Sequence, residues 1–187
     1  MKIAYAMCGS FCTHKSALEA MRQLSVGNEI FPVLSEISRD TDTRFGKAED
    51  LKKEVIKISG NDPVLSIRTA EETITRGSFD ALVVAPCTGN TLAKIANGIT
   101  DTTVTMCVKA QLRCRRPVII ALATNDGLGA NLFNIALTLE KKNIYFVPFG
   151  QDAPNEKPSS LICDFSLIDL TLVQALNGIQ LQPILLK

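Results

Sequence analysis

Strand-length runs of apolar residues alternate along this chain with segments in which apolar residues recur at helical spacing. The apolar runs are KIAYAM (2–7), EIFPVLS (29–35), DALVVAP (80–86), PVIIALA (117–123) and NIYFVPFG (143–150). Strands that are apolar on both faces are typical of parallel sheets covered by helices. A further short run, DPVLSI (62–67), fits either a short strand or a loop.

The segments between these runs predict helices, and some of them have recognisable ends. A first helix over 14–26 can be capped by Thr13 and ended by Gly27. An amphipathic helix within 43–60 is closed by Gly60. The other predicted helices cover residues 91–98, about 101–114, about 129–142 and about 159–177.

The alternation of strands and helices predicts the α/β class. We expect a Rossmann-like fold of three layers, α/β/α, around a central parallel sheet. The chain has 187 residues, which is the size of one domain. No repeat, low-complexity tract or linker interrupts the pattern, so residues 1–187 are predicted to form a single domain.

The charge balance limits the classes of partner. Lys and Arg number 20 against 19 for Asp and Glu, which gives a formal net charge of +1. Nucleic-acid and membrane-surface binding both need a concentrated basic face, so neither is expected. The apolar runs are far shorter than the ~20 residues of a membrane span, and the apolar start of the chain is too short for a signal peptide. We therefore expect a cytoplasmic protein.

The six cysteines do not have the spacing of a metal site. They stand at positions 8, 12, 87, 107, 114 and 163, and no C-x-x-C pair occurs. His14 is the only histidine, so no second imidazole is present to join it. We expect no metal site, and mostly buried thiols that act as small apolar groups. Cys87 is the exception, because it lies in a loop with a second potential role.

Two stretches of small polar residues mark the expected ligand site. In a doubly wound sheet the ligand lies beyond the carboxyl ends of the strands, where the strand order reverses. The two strand exits at that place are CGSFCT (8–13) and PCTGNT (86–91), and each leads into a predicted helix. Small side chains, free amides and the helix dipole favour an anion such as phosphate. The alternative is that these residues are only turn formers and caps.

The stretch APCTGNTLAKIANGITD (85–101) resembles the signature of a known flavoprotein family. That family includes the FMN-dependent cysteine decarboxylases and the flavin prenyltransferases. The resemblance implies that the small-residue loop holds FMN, with phosphate contacts after the first and second strands. The residues that it assigns to the cofactor are Gly9, Ser10, Ser35, Cys87, Thr88, Gly89, Asn90 and Thr91.

Motifs spread over the whole chain resemble one branch of that family, the B subunits of dipicolinate synthase from spore-forming bacteria. These motifs are TRFG (43–46), KAQLR (109–113), ATNDGLG (123–129) and KNIYFVPFGQDAPNEKPSS (142–160). The resemblance implies that the chain acts with the A subunit of dipicolinate synthase, which carries NAD(P), to oxidise dihydrodipicolinate to dipicolinate. It also implies a place in the mother cell of a sporulating bacterium and a homo-oligomer built from trimers.

The departures from the decarboxylases concern catalysis. Those enzymes use a histidine after the second strand, whereas residues 36–60 contain none. His14 is a poor substitute, and a solvated position near the helix start is its expected role. Where the decarboxylases have a Met-Asn clamp, this chain has Thr124-Asn125-Asp126 and keeps only the asparagine.

A dicarboxylate substrate needs cationic or amide donors, and arginine binds a carboxylate through two parallel hydrogen bonds. The candidates for substrate binding are Arg44, Lys109 and Arg113, and the catalytic set is Arg44, Asn125 and Asp126. Arg44 is preferred because it lies in a glycine-containing loop beyond the second strand. Asp126 and Asp152 are the carboxylates that could move a proton.

Three functions stay open on the sequence alone. The chain could be an FMN-binding oxidoreductase subunit that is active with its partner. It could be a non-catalytic partner subunit that keeps a vestigial flavin or phosphate pocket. It could also be an FMN-dependent decarboxylase, although the missing histidine disfavours that function.

Overall fold

Seven strands form a sheet through the middle of the structure, a computed structural model that describes residues 1–186. The strands are β1 (Lys2–Met7), β2 (Glu29–Leu34), β3 (Ala81–Cys87), β4 (Val118–Thr124), β5 (Ile144–Phe146), β6 (Phe149–Gln151) and β7 (Leu161–Cys163). Their order is β2-β1-β3-β4-β7-β6, and β5 also pairs with β4. Strands β1 to β5 are parallel, whereas β7 is antiparallel to both β4 and β6.

Eight α-helices connect or flank these strands. They are α1 (His14–Ser25), α2 (Glu36–Asp40), α3 (Ala48–Ser59), α4 (Ile67–Gly77), α5 (Gly89–Asn97), α6 (Thr103–Arg113), α7 (Leu132–Leu139) and α8 (Ile168–Leu176). Helix α1 packs against α3 and α8, while α4, α5, α6 and α7 form a second set of contacts. Right-handed crossovers place such sets on opposite faces of the sheet. Within residues 1–186 no helix is both long and apolar enough to cross a bilayer.

The core lies on both faces of the central strands. Every residue of β3 is buried, and β1 is buried after its first residue. Tyr5 is fully buried in β1, and its hydroxyl donates a hydrogen bond of 2.6 Å to the carbonyl of Ala17 in α1. The polar end of this side chain is therefore satisfied, and the strand can be covered by helices on both sides.

The α/β/α fold expected from the sequence is confirmed, and the sheet proves to be mixed at one edge. The run 143–150, predicted as one strand, forms β5 and β6 with a break at Val147 and Pro148. Proline cannot donate to a ladder, which explains why the chain leaves the parallel sheet there. The chain then turns back, and β6 pairs with β7 instead.

Several helix boundaries differ from the prediction. The helix predicted over 159–177 is wrong at its start, because residues 161–163 form β7 and α8 begins only at Ile168. Helix α7 is shorter than the predicted 129–142, and α4 was not predicted at all. The run 62–67 is mostly loop, with a single bridge between Val33 and Val64.

Candidate functional site

The turns after β1 and β3 are joined side by side, as expected for the exits of neighbouring parallel strands. The amide of Cys8 donates to the carbonyl of Pro86 at 3.2 Å. The hydroxyl of Thr91, in the first turn of α5, donates to the sulfur of Cys8 at 3.4 Å. These bonds hold the two predicted ligand-binding turns together as one surface.

Helix α5 begins at this surface with a side-chain cap. The hydroxyl of Thr88 accepts a hydrogen bond of 3.3 Å from the amide of Thr91 and donates to the Thr91 hydroxyl at 3.1 Å. The amides of Gly89 and Asn90 stand in the first turn, where no intrahelical acceptor exists. The side chain of Asn90 is exposed. The start of α5 therefore offers backbone and amide donors.

The thiols at the two strand ends are packing groups. Cys8 and Cys87 are both buried, and burial raises the pKa of the Cys8 thiol to about 11. Burial likewise raises the pKa of Cys87 well above its ordinary value. The Cys87 thiol donates to the carbonyl of Thr88 at 3.7 Å. Because the whole of Cys87 is enclosed, its thiol is not accessible to a ligand.

The turn after β2 is closed by its own hydrogen bonds. Ser35 caps α2, since its hydroxyl accepts from the amide of Ser38 at 3.3 Å and donates to the Ser38 hydroxyl at 3.0 Å. Its amide donates to the carbonyl of Met7, which ties this turn to the end of β1. A Cβ on Gly9 would lie 2.3 Å from Cγ2 of Ile37, so a larger residue at position 9 would have to displace the exposed side chain of Ile37 on α2.

A polar network lies behind the start of α5. One carboxylate oxygen of Asp126, Oδ1, accepts hydrogen bonds from Thr124 at 2.5 Å and from Asn131 at 2.8 Å. The hydrogen bond from Thr124, and secondarily that from Asn131, lowers the pKa of Asp126. Asn134 extends the network by donating to Asn131 at 3.0 Å. Asp126 therefore has a structural role in this network, although both Asp126 and Asn125 are exposed to solvent.

Gly89 is the point at which this network touches the loop. A Cβ there would lie 2.4 Å from Nδ2 of Asn131, 2.5 Å from Oγ1 of Thr124 and 3.0 Å from Oδ1 of Asp126. Only a residue without a side chain lets the first turn of α5 rest on these three polar atoms. The network thereby fixes the position of the α5 amides.

A groove opens beside the β1 turn, between α1 and the segment 38–54. Its volume is about 570 Å³. The residues that line it include Phe11, Cys12, His14, Lys15, Leu18, Arg22, Ser38, Thr41, Thr43, Phe45, Gly46, Lys47, Ala48, Asp50, Leu51 and Glu54. The loop with the TRFG motif forms part of one wall, so the groove adjoins both this motif and the CGSFCT stretch (8–13).

His14 is partly buried at the edge of this groove. Its Nε2 lies 2.8 Å from the carbonyl oxygen of Cys8, which can only accept, so we assign the ring proton to Nε2. Burial lowers the pKa of His14, and the bond to Cys8 acts in the opposite direction. The ring also contacts Phe11, with 5.2 Å between the centroids. The solvated position expected for His14 is therefore wrong.

The predicted substrate-binding cations lie in two different places. Arg44 is exposed, and its guanidinium carbon lies 4.8 Å from the ring centroid of Phe45, a residue that lines the groove. Arg113 donates to the Thr75 hydroxyl at 2.7 Å on α4 and is 3.6 Å from Glu71.

Helix α6 shows how far apart these places are. Its first residue donates to Glu36, which follows β2 at the carboxyl edge, whereas Gln111 near its end donates to the carbonyl of Phe79 before β3. Arg113 is therefore at the opposite edge of the sheet from the turns, and Lys109 is exposed between the two ends. Within one chain, neither Lys109 nor Arg113 lies at the turns after β1 and β3.

Sequence reasoning did not find the groove residues Phe11, Lys15 and Lys47. Their positions in the sequence could have indicated two of them, because Lys15 follows the lone histidine and Lys47 directly follows the TRFG motif. Asn131, which donates to Asp126, and Asn134, which donates to Asn131, were also missed. Asp152 pairs with Lys157 at 3.0 Å. Among the residues that the structure describes, no cluster of His, Cys, Asp and Glu is arranged to hold a metal ion.

Comparison with known proteins shows which chains and folds this protein resembles. The sequence is 38% identical over 187 residues to the dipicolinate synthase B subunit of Bacillus subtilis (strain 168), covering 100% of this chain and 94% of the relative. The crystal structure of the dipicolinate synthase B subunit from Bacillus halodurans superimposes with a TM-score of 0.91 at 37% identity, covering 100% of this chain and 96% of that one.

A more distant solved structure has the same fold. The FMN-dependent cysteine decarboxylase SpaF superimposes with a TM-score of 0.65 at 26% identity, covering 94% of this chain and 97% of that one. The model of the flavoprotein family matches residues 2–167 of this chain. This chain therefore belongs to the flavoprotein family.

Proposed function

We propose that this chain is the FMN-binding subunit of a two-subunit oxidoreductase that converts dihydrodipicolinate to dipicolinate during sporulation. Full-length similarity to B subunits of dipicolinate synthase supports the reaction, and the flavoprotein family supports the cofactor. The observation that carries the proposal is the hydrogen bond of 3.4 Å from Thr91 to Cys8, which joins the two turns.

The residues at the joined turns fit a phosphate group. The first amides of α5 have no intrahelical acceptors, and the helix dipole favours an anion at this end. Ser10 is half-buried in the adjoining turn after β1, and its hydroxyl makes a weak contact of 4.0 Å with Cys12. Ser10, Thr88, Gly89 and Asn90 would therefore hold the phosphate end of FMN. Bound FMN would supply a two-electron acceptor for oxidation of the dihydropyridine ring.

The remaining site residues would act on the substrate. We propose that Arg44 binds a substrate carboxylate, because its guanidinium lies against the ring of Phe45, which lines the groove, and makes no salt bridge within the described residues. Asn125 is exposed beside the polar network and can donate to the substrate. Asp126 would orient this segment through the bonds that it accepts from Thr124 and Asn131.

The partner and the assembly belong to the same proposal. The similar Bacillus proteins are named as B subunits, which implies a further, different subunit. We propose that this partner is the A subunit of dipicolinate synthase, that it binds NAD(P), and that both proteins act in the cytoplasm of the mother cell. We also propose a homo-oligomer based on trimers, in which neighbouring copies complete the flavin pocket.

Flavin titration tests the cofactor. We expect the purified chain to quench FMN fluorescence and to keep a yellow colour after desalting. Ser10→Leu should abolish this uptake by filling the space beside the α5 amides. Ser16→Leu is the matched control, since Ser16 is exposed on α1 away from the turns. Failure of the wild-type chain to take up FMN, either alone or mixed with its partner protein, would refute the proposal.

One observation favours a second function, that of a non-catalytic partner with a vestigial pocket. Among the described residues no buried side-chain nitrogen or oxygen lacks a hydrogen-bond partner. The hydroxyls of Ser35, Thr88 and Thr91 are in fact all engaged with protein atoms. Turnover by the two mixed proteins that is equal with and without FMN would favour this second function.

A further inference from the structure

We propose that the groove between α1 and the segment 38–54 is a binding site for a planar dicarboxylate, with Lys15 and Lys47 each binding one carboxylate and Arg44 adding a second contact to one of these carboxylates. This inference rests on the proposed function, because it assigns a place in this chain to the substrate of that reaction. Lys15 and Lys47 lie outside both the CGSFCT stretch (8–13) and the TRFG motif (43–46). Ligand binding to the groove can be measured without following the enzymatic reaction.

The groove has the size and apolar walls of a small-molecule site. Its volume of about 570 Å³ lies within the usual range of roughly 300–1,000 Å³ for such sites. Phe11 and Leu18 line it from the side of the β1 turn and α1, and Phe45 and Leu51 line it from the other side. Two aromatic rings in one groove suit a flat ring as ligand.

One cation of the groove is neutralised by acidic residues, and two others are not. At one end Arg22 is neutralised, because it pairs with Glu54 at 2.5 Å and with Glu19 at 3.0 Å. Lys15 and Lys47 also line the groove and have no acidic partner within 4.0 Å among residues 1–186.

The two lysines are placed on different walls. Lys15 lies in the first turn of α1, whereas Lys47 directly precedes α3. A ligand lying between them can therefore present one carboxylate to each ammonium group. Among residues 1–186, Asp50 is the carboxylate of the groove that has no cationic partner. The two unpaired lysines outnumber this one carboxylate, so the groove favours a dianion over a cation or a neutral molecule.

The groove is continuous with the turn that we assign to FMN. Phe11 and Cys12 follow Ser10 directly in the chain and line the groove. His14, also in the lining, bonds to the carbonyl of Cys8 at the end of β1 at 2.8 Å. A ring held in the groove would therefore lie beside the turn assigned to the phosphate end of FMN, in the same part of the molecule as the proposed cofactor site.

Calorimetric titration with pyridine-2,6-dicarboxylate tests the site on the full-length chain. We expect saturable binding by the wild type. We expect Lys47→Met and Lys15→Met each to weaken the affinity about tenfold or more, the loss of one charge-assisted contact. Lys53→Met is the matched control, since Lys53 is exposed on α3 and does not line the groove. It should bind like the wild type.

A second ligand tests the need for two carboxylates. Pyridine-2-carboxylate lacks one carboxylate, so it should bind the wild type at least about tenfold more weakly and should respond to only one of the two lysine substitutions. Both lysines are exposed, and thermal melting should show that their substitution leaves the fold intact. Equal affinities for the two ligands, or no effect of either substitution, would overturn the inference.

The same variants separate this inference from the proposed cofactor role. FMN uptake should be unchanged in Lys15→Met and Lys47→Met, because neither residue is among those assigned to the phosphate. Uptake of FMN without any dicarboxylate binding would refute the groove alone. Lysine-dependent dicarboxylate binding without FMN uptake would support the groove and refute the flavin role.

Discussion

Replacement of Gly89 by alanine tests how the polar network holds the cofactor loop. The added methyl group would meet three polar atoms, at 2.4 Å from Asn131, 2.5 Å from Thr124 and 3.0 Å from Asp126. Contacts below 3.0 Å force either the loop or the network to move. The network cannot move freely, since Asn131 is buried and bonded to both Asp126 and Asn134.

The expected cost follows from these contacts. Overpacking of one methyl group destabilises a protein by roughly 1–3 kcal/mol. Alanine would recover part of this through its better helix propensity, an effect of less than about 1 kcal/mol. We therefore expect the free energy of unfolding to fall by about 1–2 kcal/mol. For a chain of this size the melting temperature should then fall by about 2–8 °C.

Two other glycines provide the controls. A Cβ on Gly129 would lie 3.5 Å from its nearest neighbour, the carbonyl oxygen of Asp126, so Gly129→Ala should change the melting temperature little. A Cβ on Gly9 would meet the side chain of Ile37, which is 55% exposed and can rotate away. Thermal and urea unfolding measure all three variants. Equal stabilities of Gly89→Ala and Gly129→Ala would refute the view that the network fixes the loop.

Three further predictions concern the thiols, the network carboxylate and the end of α6. Alkylation of the native protein near pH 8 should label only Cys12 and Cys114, because the other thiols are buried and a buried thiol gives little thiolate; labelling of a third thiol would contradict this. The pKa of Asp126 is lowered by folding, so the stabilisation that this carboxylate provides is present above the ordinary value of 3.8 and is lost as the pH falls through the folded value. In urea unfolding, the free energy of unfolding of Asp126→Asn should therefore lie closer to that of the wild type at about pH 2.5 than at neutral pH. An equal difference in stability at both pH values would contradict this. Arg115 follows α6 with φ of +56°, so Arg115→Gly should raise the free energy of unfolding by about 1 kcal/mol in the same assay, and a decrease would contradict the strain.

The sequence predicted the parallel half of the sheet well because burial there is decided locally. Strands β1, β3 and β4 are nearly continuous apolar runs, and each exit is marked by small polar residues. The antiparallel edge could not be predicted in the same way. Residues 161–163 form a strand because β4 and β6 offer them ladder partners, a tertiary effect that overrides local helix preference.

The predicted site residues show the same limit. Ser10, Thr88 and Asn90 could be placed because they stand next to strand ends, and the positions of strand ends follow from the sheet. Arg113 could not be placed, since its location depends on the direction of α6 and on α4, which was not predicted. The Thr75 hydroxyl and Glu71 of α4 occupy its guanidinium at the opposite edge of the sheet.

Polar side chains in the turns are mostly hydrogen-bonded to other protein atoms, whereas the lysines of the groove have no acidic partner within the described residues, and this difference affects which ligand each site can bind. In the turns, the hydroxyls of Ser35 and Thr88 bond to neighbouring side chains, so a phosphate there must be held mainly by amides and by Ser10 and Asn90. In the groove, Lys15 and Lys47 keep their charges unneutralised. Salt screens both sites, but hydrogen bonds from fixed amides lose less strength than the full charges of exposed lysines. Raising the ionic strength should therefore weaken binding of the dicarboxylate more than binding of FMN.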